Sequence, residues 1–125
     1  LFIFPYCSHA AEQPINGPGD YEFTLTHGGR ERAFLVHVPP GYDPARAAPL
    51  VIALHGGGGS MHYMARDSLY ELVSKSDSAG FIAVFPNGYS RFRGGKFATW
   101  NAGACCGDAR DKNIDDVGFI KSMVG

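Results

Sequence analysis

The chain of 125 residues has no dominant charge, no long apolar run and no repeated or low-complexity segment. Eleven Lys and Arg stand against twelve Asp and Glu, a net charge of −1. That balance excludes a strongly basic nucleic-acid binder and an acidic solvating tail. No apolar run approaches the roughly 20 residues needed to cross a bilayer, so no membrane partner is expected. What the chain does have is 45% hydrophobic and only 18% charged residues, the balance of one small globular domain. Glycine is in excess, 17 residues of 125, about twice the usual share. With eight prolines it predicts turns and close backbone approaches.

The chain opens Leu1-Phe2-Ile3-Phe4-Pro5-Tyr6-Cys7-Ser8-His9-Ala10, without Met. An apolar start followed by small residues reads as the remnant of a signal peptide over 1–10, cleaved after Ala10. That makes the expected location secreted or periplasmic. Residues 11–20 form a polar lead-in rich in Pro and Gly. A helical pattern is still running at Lys121-Ser122-Met123-Val124-Gly125, so a chain cut short at both ends is expected.

From residue 21 to 125 the pattern is that of an α/β domain. Tyr21, Phe23 and Leu25 alternate with polar residues, and so do Phe34, Val36 and Val38 beyond Gly28-Gly29. Two such runs around a glycine pair predict an antiparallel hairpin, ended by Pro39-Pro40. The runs 50–54 and 81–85 are continuously apolar, which predicts parallel strands buried on both faces. Between them Met61, Met64, Ala65, Leu69, Leu72 and Val73 recur at helical spacing. The spacing predicts one helix over 61–79, with Ser60 as N-cap and Gly80 at its stop. A second helix is expected over 114–124, with Val117, Ile120 and Val124 on its periodic face. Residues 86–113 show no period; Arg91-Phe92-Arg93 and Lys96-Phe97 around Gly94-Gly95 suggest a small hairpin.

The chemistry-bearing feature is Leu54-His55-Gly56-Gly57-Gly58-Gly59-Ser60, where a strand meets a helix. Backbone N–H groups there can approach a ligand oxygen with no side chain in the way. A phosphate cradle would need G-x-x-x-x-G-K-[ST] or a framed G-x-G-x-x-G. No Lys follows these glycines, and Phe85-Pro86-Asn87 lacks the carboxylate that a ribose site would use. Both absences count against a phosphate site, which stays open beside an oxyanion hole and a plain tight turn.

The run Phe34-Leu35-Val36-His37-Val38-Pro39-Pro40-Gly41-Tyr42 and the run Pro49 to Gly59 resemble the polyhydroxybutyrate depolymerase and feruloyl esterase family. So do Phe85-Pro86-Asn87-Gly88, Trp100 to Gly107 and Asp115-Asp116-Val117-Gly118-Phe119-Ile120. The resemblance covers about residues 30–125. It implies the N-terminal portion of an α/β-hydrolase fold and a secreted serine esterase. The implied substrate is a plant polysaccharide ester, feruloyl or acetyl, or a polyhydroxyalkanoate. No cofactor and no metal are implied. The family's loop would place its oxyanion donors at Gly56, Gly57 and Gly58. His55, Trp100 and Asn101 would line the cleft, His55 as a packed residue beneath the loop.

The family's nucleophile stands in a G-x-S-x-G elbow, followed by an acid and a His. No G-x-S-x-G occurs among these 125 residues: Gly58-Gly59-Ser60-Met61-His62 and Gly88-Tyr89-Ser90-Arg91-Phe92 both fail it. The elbow is expected after the helix starting near Asp115, so nucleophile, acid and base would all lie beyond Gly125. The other reading is a short non-catalytic module that binds polysaccharide or polyester on the same scaffold. The residues carry three further readings. His27 and His37 are surface or cross-strand residues of the hairpin. Asn113 or Asp115 is the N-cap of the second helix, and Asp115 and Asp116 are caps that complement its dipole and not a catalytic pair. Arg91, Arg93 and Lys96 are a solvated hairpin or meet an acidic polysaccharide. At least one of Cys105 and Cys106 is expected to pair with a cysteine outside this sequence, because a ring between neighbours is strained.

Overall fold

A computed structural model describes residues 14–125. The leader expected over 1–10, with Cys7, lies outside the described residues. The hairpin forms as β1 (Gly19–His27) and β2 (Arg30–Val38), antiparallel, with Phe23 opposite Phe34 and His27 opposite Arg30. Gly28 and Gly29 at φ 59° and 72° make the turn, a conformation open to glycine at no steric cost. β3 (Leu50–Ile52) and β4 (Ile82–Pro86) pair in parallel, and β4 also pairs antiparallel with β2. The sheet order is β1-β2-β4-β3.

The period-2 alternation divides the core into two layers. On one face Val36, Val38 and Val84 are buried with Tyr21, Phe23, Phe34, Ile82 and Met123 packed on them. On the other, Met61, Ala83 and Phe85 are buried under Met64, Ala65, Leu72 and Val73. Helices therefore flank the sheet on both sides, an α/β arrangement.

Several expectations change. The helix over 61–79 is three short helices: α1 (Met61–Met64), α2 (Asp67–Tyr70) and α3 (Leu72–Ala79). Arg66 is extended, and Glu71 is left-handed at φ 53°, which no helix interior accepts. The Asp67 carboxylate bridges the break, accepting from the Ser74 N–H at 3.0 Å and from its hydroxyl. Those Ser74 bonds hold Asp67 below the usual carboxylate range. The break leaves Leu69 exposed, although its spacing assigns it to the core. Ser60 and Gly80 do cap the two ends.

β3 is shorter than 50–54 and is not buried on both faces; Leu50, Val51 and Leu54 are exposed. It lies at the edge of this sheet, with β4 on one side alone. β4 has the burial expected of an inner strand, from Ala83 through Pro86.

Past β4, no hairpin ladder forms over 91–97. Instead Tyr89 and Thr99 bridge, and the chain between them is built from turns. A short helix without sequence periodicity comes next, α4 (Gly107–Asp111), and then α5 (Asp116–Val124). α5 presents Asp116, Phe119 and Met123 inward and leaves Val117 and Val124 in water. The face predicted from Val117, Ile120 and Val124 is thus rotated. The cause is Asp116, which makes a buried ion pair and takes the inward position. Cys105 and Cys106 stand against each other as a neighbouring pair. The chain doubles back there, with the Cys106 N–H bonded to the Trp100 carbonyl at 3.1 Å.

Candidate functional site

The two parallel strands deliver their C-terminal ends side by side, and the candidate site is built there. Gly56 to Gly59 form a turn closed by the Gly59 N–H on the Gly56 carbonyl at 3.0 Å. Gly58 occupies its third position at φ 80°, the type II pattern that demands glycine. The Gly58 N–H is taken by the Ala98 carbonyl at 2.8 Å. The N–H groups of Gly56 and Gly57 have no hydrogen-bond partner among the described residues, and both glycines are exposed. Neither would meet a neighbour within 4 Å with an added Cβ, so the side-chain side of each is open.

His55 lies buried beneath this turn with both ring nitrogens engaged. Nε2 accepts from the Gly88 N–H at 2.9 Å, which leaves Nδ1 as the donor to the Gly56 carbonyl at 2.8 Å. Burial lowers its pKa, against smaller opposing effects of the Gly56 carbonyl and Asp116. A neutral ring with neither nitrogen free is a strut and not a base.

Trp100 packs beside it, ring centroids 5.1 Å apart, and its indole N–H donates to the His55 carbonyl at 2.9 Å. Asn101 stands next along and turns its side-chain amide to the Ile114 carbonyl at 3.1 Å. The structure therefore brings His55, Trp100 and the glycine turn together. Asn101 joins them through α5.

Three residues to which the sequence pattern assigns no site role hold this assembly. Asn87 Oδ1 accepts from the Met61 N–H at 2.7 Å, and its amide donates to the Gly95 carbonyl at 3.0 Å. Asp116 is no cap: it accepts from buried Arg32 at 2.7 Å on one oxygen and from the Asn101 N–H at 2.7 Å on the other. The Arg32 guanidinium also lies 4.1 Å over the Phe119 ring. Only polarity in an otherwise apolar position signals these residues, and polarity alone does not tell a buried partner from a solvated side chain. Asp115 does cap α5, accepting from the Gly118 N–H at 2.9 Å.

A second trio resembles a catalytic arrangement. Asp115 accepts from His27 at 2.9 Å, and the other His27 nitrogen faces the Ser122 hydroxyl at 3.3 Å. The His27 bond holds Asp115 below the usual carboxylate range. Ser122 lies within the regular turns of α5 and not on an exposed strand-to-helix elbow, and the neighbouring α5 N–H groups serve the helix. The trio clasps α5 to the hairpin turn. His37 makes a similar clasp between Asp20 at 2.6 Å and Asp77 of α3 at 2.7 Å.

No described helix is long and apolar enough to cross a membrane. No protein-family profile matches the chain. It is 29% identical over 123 residues to feruloyl esterase C of Emericella nidulans, covering 93% of this chain and 38% of that one. It is 34% identical over 98 residues to the esterase-designated protein NocK of Nocardia uniformis subsp. tsuyamanensis, covering 77% of this chain and 26% of the relative. Among solved structures, a CE1 ferulic acid esterase from Anaeromyces mucronatus, in complex with ferulic acid, is similar at 24% identity and a TM-score of 0.42. That match covers 66% of this chain and 33% of the other. The chain thus spans between about a quarter and two fifths of the curated relatives it matches. Over most of its own length it is similar to esterases, enzymes of the hydrolase class.

Proposed function

We propose that this chain is the oxyanion-binding portion of a secreted or periplasmic serine esterase with an α/β-hydrolase fold. Its substrate would be a feruloyl or acetyl ester on plant polysaccharide, with polyhydroxyalkanoate the other candidate. The observation that carries the reading is the pair of N–H groups on exposed Gly56 and Gly57, just past a parallel strand, that have no hydrogen-bond partner among the described residues. In acyl transfer the former carbonyl oxygen becomes negative, and a preorganised N–H aimed at it contributes about 3–4 kcal/mol. His55 and Trp100 hold the turn in place before substrate arrives, so no reorganisation is needed at the reaction.

The nucleophile, acid and base are expected from residues beyond Gly125, since no G-x-S-x-G precedes it. The test begins with the coding sequence past Gly125 and a chain extended by the residues it encodes. In that chain Gly57→Pro removes one donor at the turn position where proline is favoured. We expect kcat for ester hydrolysis to fall about 10²–10³-fold while the fold is kept. Unchanged kcat would overturn the oxyanion assignment. A stop codon directly after Gly125, with bound polysaccharide and no hydrolysis, would leave the non-catalytic binding module.

A further inference from the structure

We propose that the loop from Tyr89 to Thr99 is a docking platform for an acidic polysaccharide chain, uronate-bearing, that carries the ester to the glycine turn. The proposal rests on the esterase reading for the ester and on the loop's own features for the polysaccharide.

Charge is segregated here. Between Gly88 and Gly107 the chain has Arg91, Arg93 and Lys96 and no carboxylate, although acids outnumber bases overall. Arg91 is committed within the protein, 5.1 Å over the Phe92 ring and 3.5 Å from Asp108. Arg93 and Lys96 are exposed and make no ion pair among the described residues. The loop borders a cavity of about 620 Å³ whose lining mixes Glu22 and Glu31 with Arg30, Arg32 and Arg91. Arg93 and Lys96 stand outside that lining.

Two aromatic rings stand in water beside these cations. Phe92 is 49% and Phe97 67% exposed, centroids 5.7 Å apart and nearly perpendicular. Phe97 is left-handed at φ 53°, a conformation that bulky residues rarely adopt. The fold thus holds an aromatic side chain outward at a cost both in backbone strain and in apolar exposure. A sugar ring stacked on Phe97 removes the exposure, and a uronate carboxylate accepts from Arg93 or Lys96.

The loop is built to stay in shape. Tyr89 and Thr99 exchange two hydrogen bonds of 2.9 Å at its base. Within it the Ser90 hydroxyl accepts from the Phe92 N–H at 3.0 Å, and Asn87 holds the Gly95 carbonyl. Its base joins the candidate site directly: the Ala98 N–H donates to the Gly59 carbonyl at 3.0 Å, and the Ala98 carbonyl takes the Gly58 N–H. These bonds tie the loop to the turn that carries the free N–H groups of Gly56 and Gly57. The short basic stretch does not suit a nucleic acid, whose affinity rests on many phosphate contacts.

The experiment is affinity electrophoresis of the full chain through gels holding polygalacturonate or a neutral arabinoxylan. We expect retardation by polygalacturonate and near-normal mobility in the neutral gel. Arg93→Gln with Lys96→Gln, and separately Phe92→Ser with Phe97→Ser, should each weaken retardation at least about five-fold, as lost charge-assisted and stacking contacts require. Thermal melts check that both pairs fold as the parent does. Equal mobility in both gels, indifference to the aromatic pair, or equally strong capture by phosphatidylserine vesicles would overturn the platform. A chain extended past Gly125 is assayed in parallel on a small soluble ester. Hydrolysis without polygalacturonate retention sinks the platform alone, whereas retention without hydrolysis supports the platform and sinks the esterase reading.

Discussion

The chain leaving β4 and the chain leaving β3 reach the same end of the sheet, yet they are finished in opposite ways. Pro86, Asn87 and Gly88 are buried or nearly so, and Asn87 and Gly88 are tied to α1, to the 89–99 loop and to His55. Leu54 is exposed, and the glycines after His55 keep two N–H groups unused. One exit is a joint and the other an open donor site. A backbone donor can stay free for a ligand only where neighbouring groups hold the chain still, and the first exit supplies that rigidity to the second. Among the described residues no buried side-chain polar atom lacks a partner.

The largest expected effect comes from breaking the joint where it meets α5. Arg32→Ala leaves Asp116 buried and uncompensated, and should cost about 3–5 kcal/mol in urea unfolding. A loss below about 1 kcal/mol on the same scale would show that the pair is solvated in solution. Next is a matched pair of glycine substitutions. In Gly88→Ala the added Cβ would lie 2.6 Å from the Thr99 carbonyl oxygen, backbone that has to move. We expect a loss of about 1–3 kcal/mol. Gly57→Ala meets nothing within 4 Å and should stay within about 0.5 kcal/mol. Equal effects of the two would erase the distinction between the exits.

The smallest effect sharpens the comparison from the far end of the sheet, where His37 joins β1 to α3. Burial acts to lower the His37 pKa, but its hydrogen bonds to the accepting carboxylates of Asp77 and Asp20, with their charge, outweigh it and the net shift is upward from 6.5. A raised folded pKa contributes stability that is complete below 6.5 and lost as pH rises through the raised value. Asp77→Asn should therefore lower the melting temperature more at about pH 6 than at about pH 9. A deficit that grows with pH would contradict the charged clasp.

Much of the framework is legible in the residues themselves. Alternation around Gly28-Gly29 reads directly as β1 and β2, because side chains on a strand change face at every residue. The apolar run into Pro86 reads as an inner strand. Ser60, Gly80 and Asp115 end helices by local hydrogen bonding and are recognised locally. The break at Glu71 is less legible, since helical spacing continues across it while its cause is a carboxylate seven residues from its partner. β3 reads as buried because composition reports apolarity, and apolarity does not say whether a neighbouring strand covers the edge.

Local residue patterns establish an α/β chain with a glycine turn after a parallel strand, because periodicity, capping and glycine conformation are local properties. Tertiary structure alone decided which N–H groups of that turn remain free. It also made His55 a strut, Asp116 the partner of Arg32 and not a cap, and α5 a helix rotated to suit that pair. Each of these depends on groups 33 to 84 residues apart meeting in a low-dielectric interior, where an unpartnered polar group is costly and its partner decides its role.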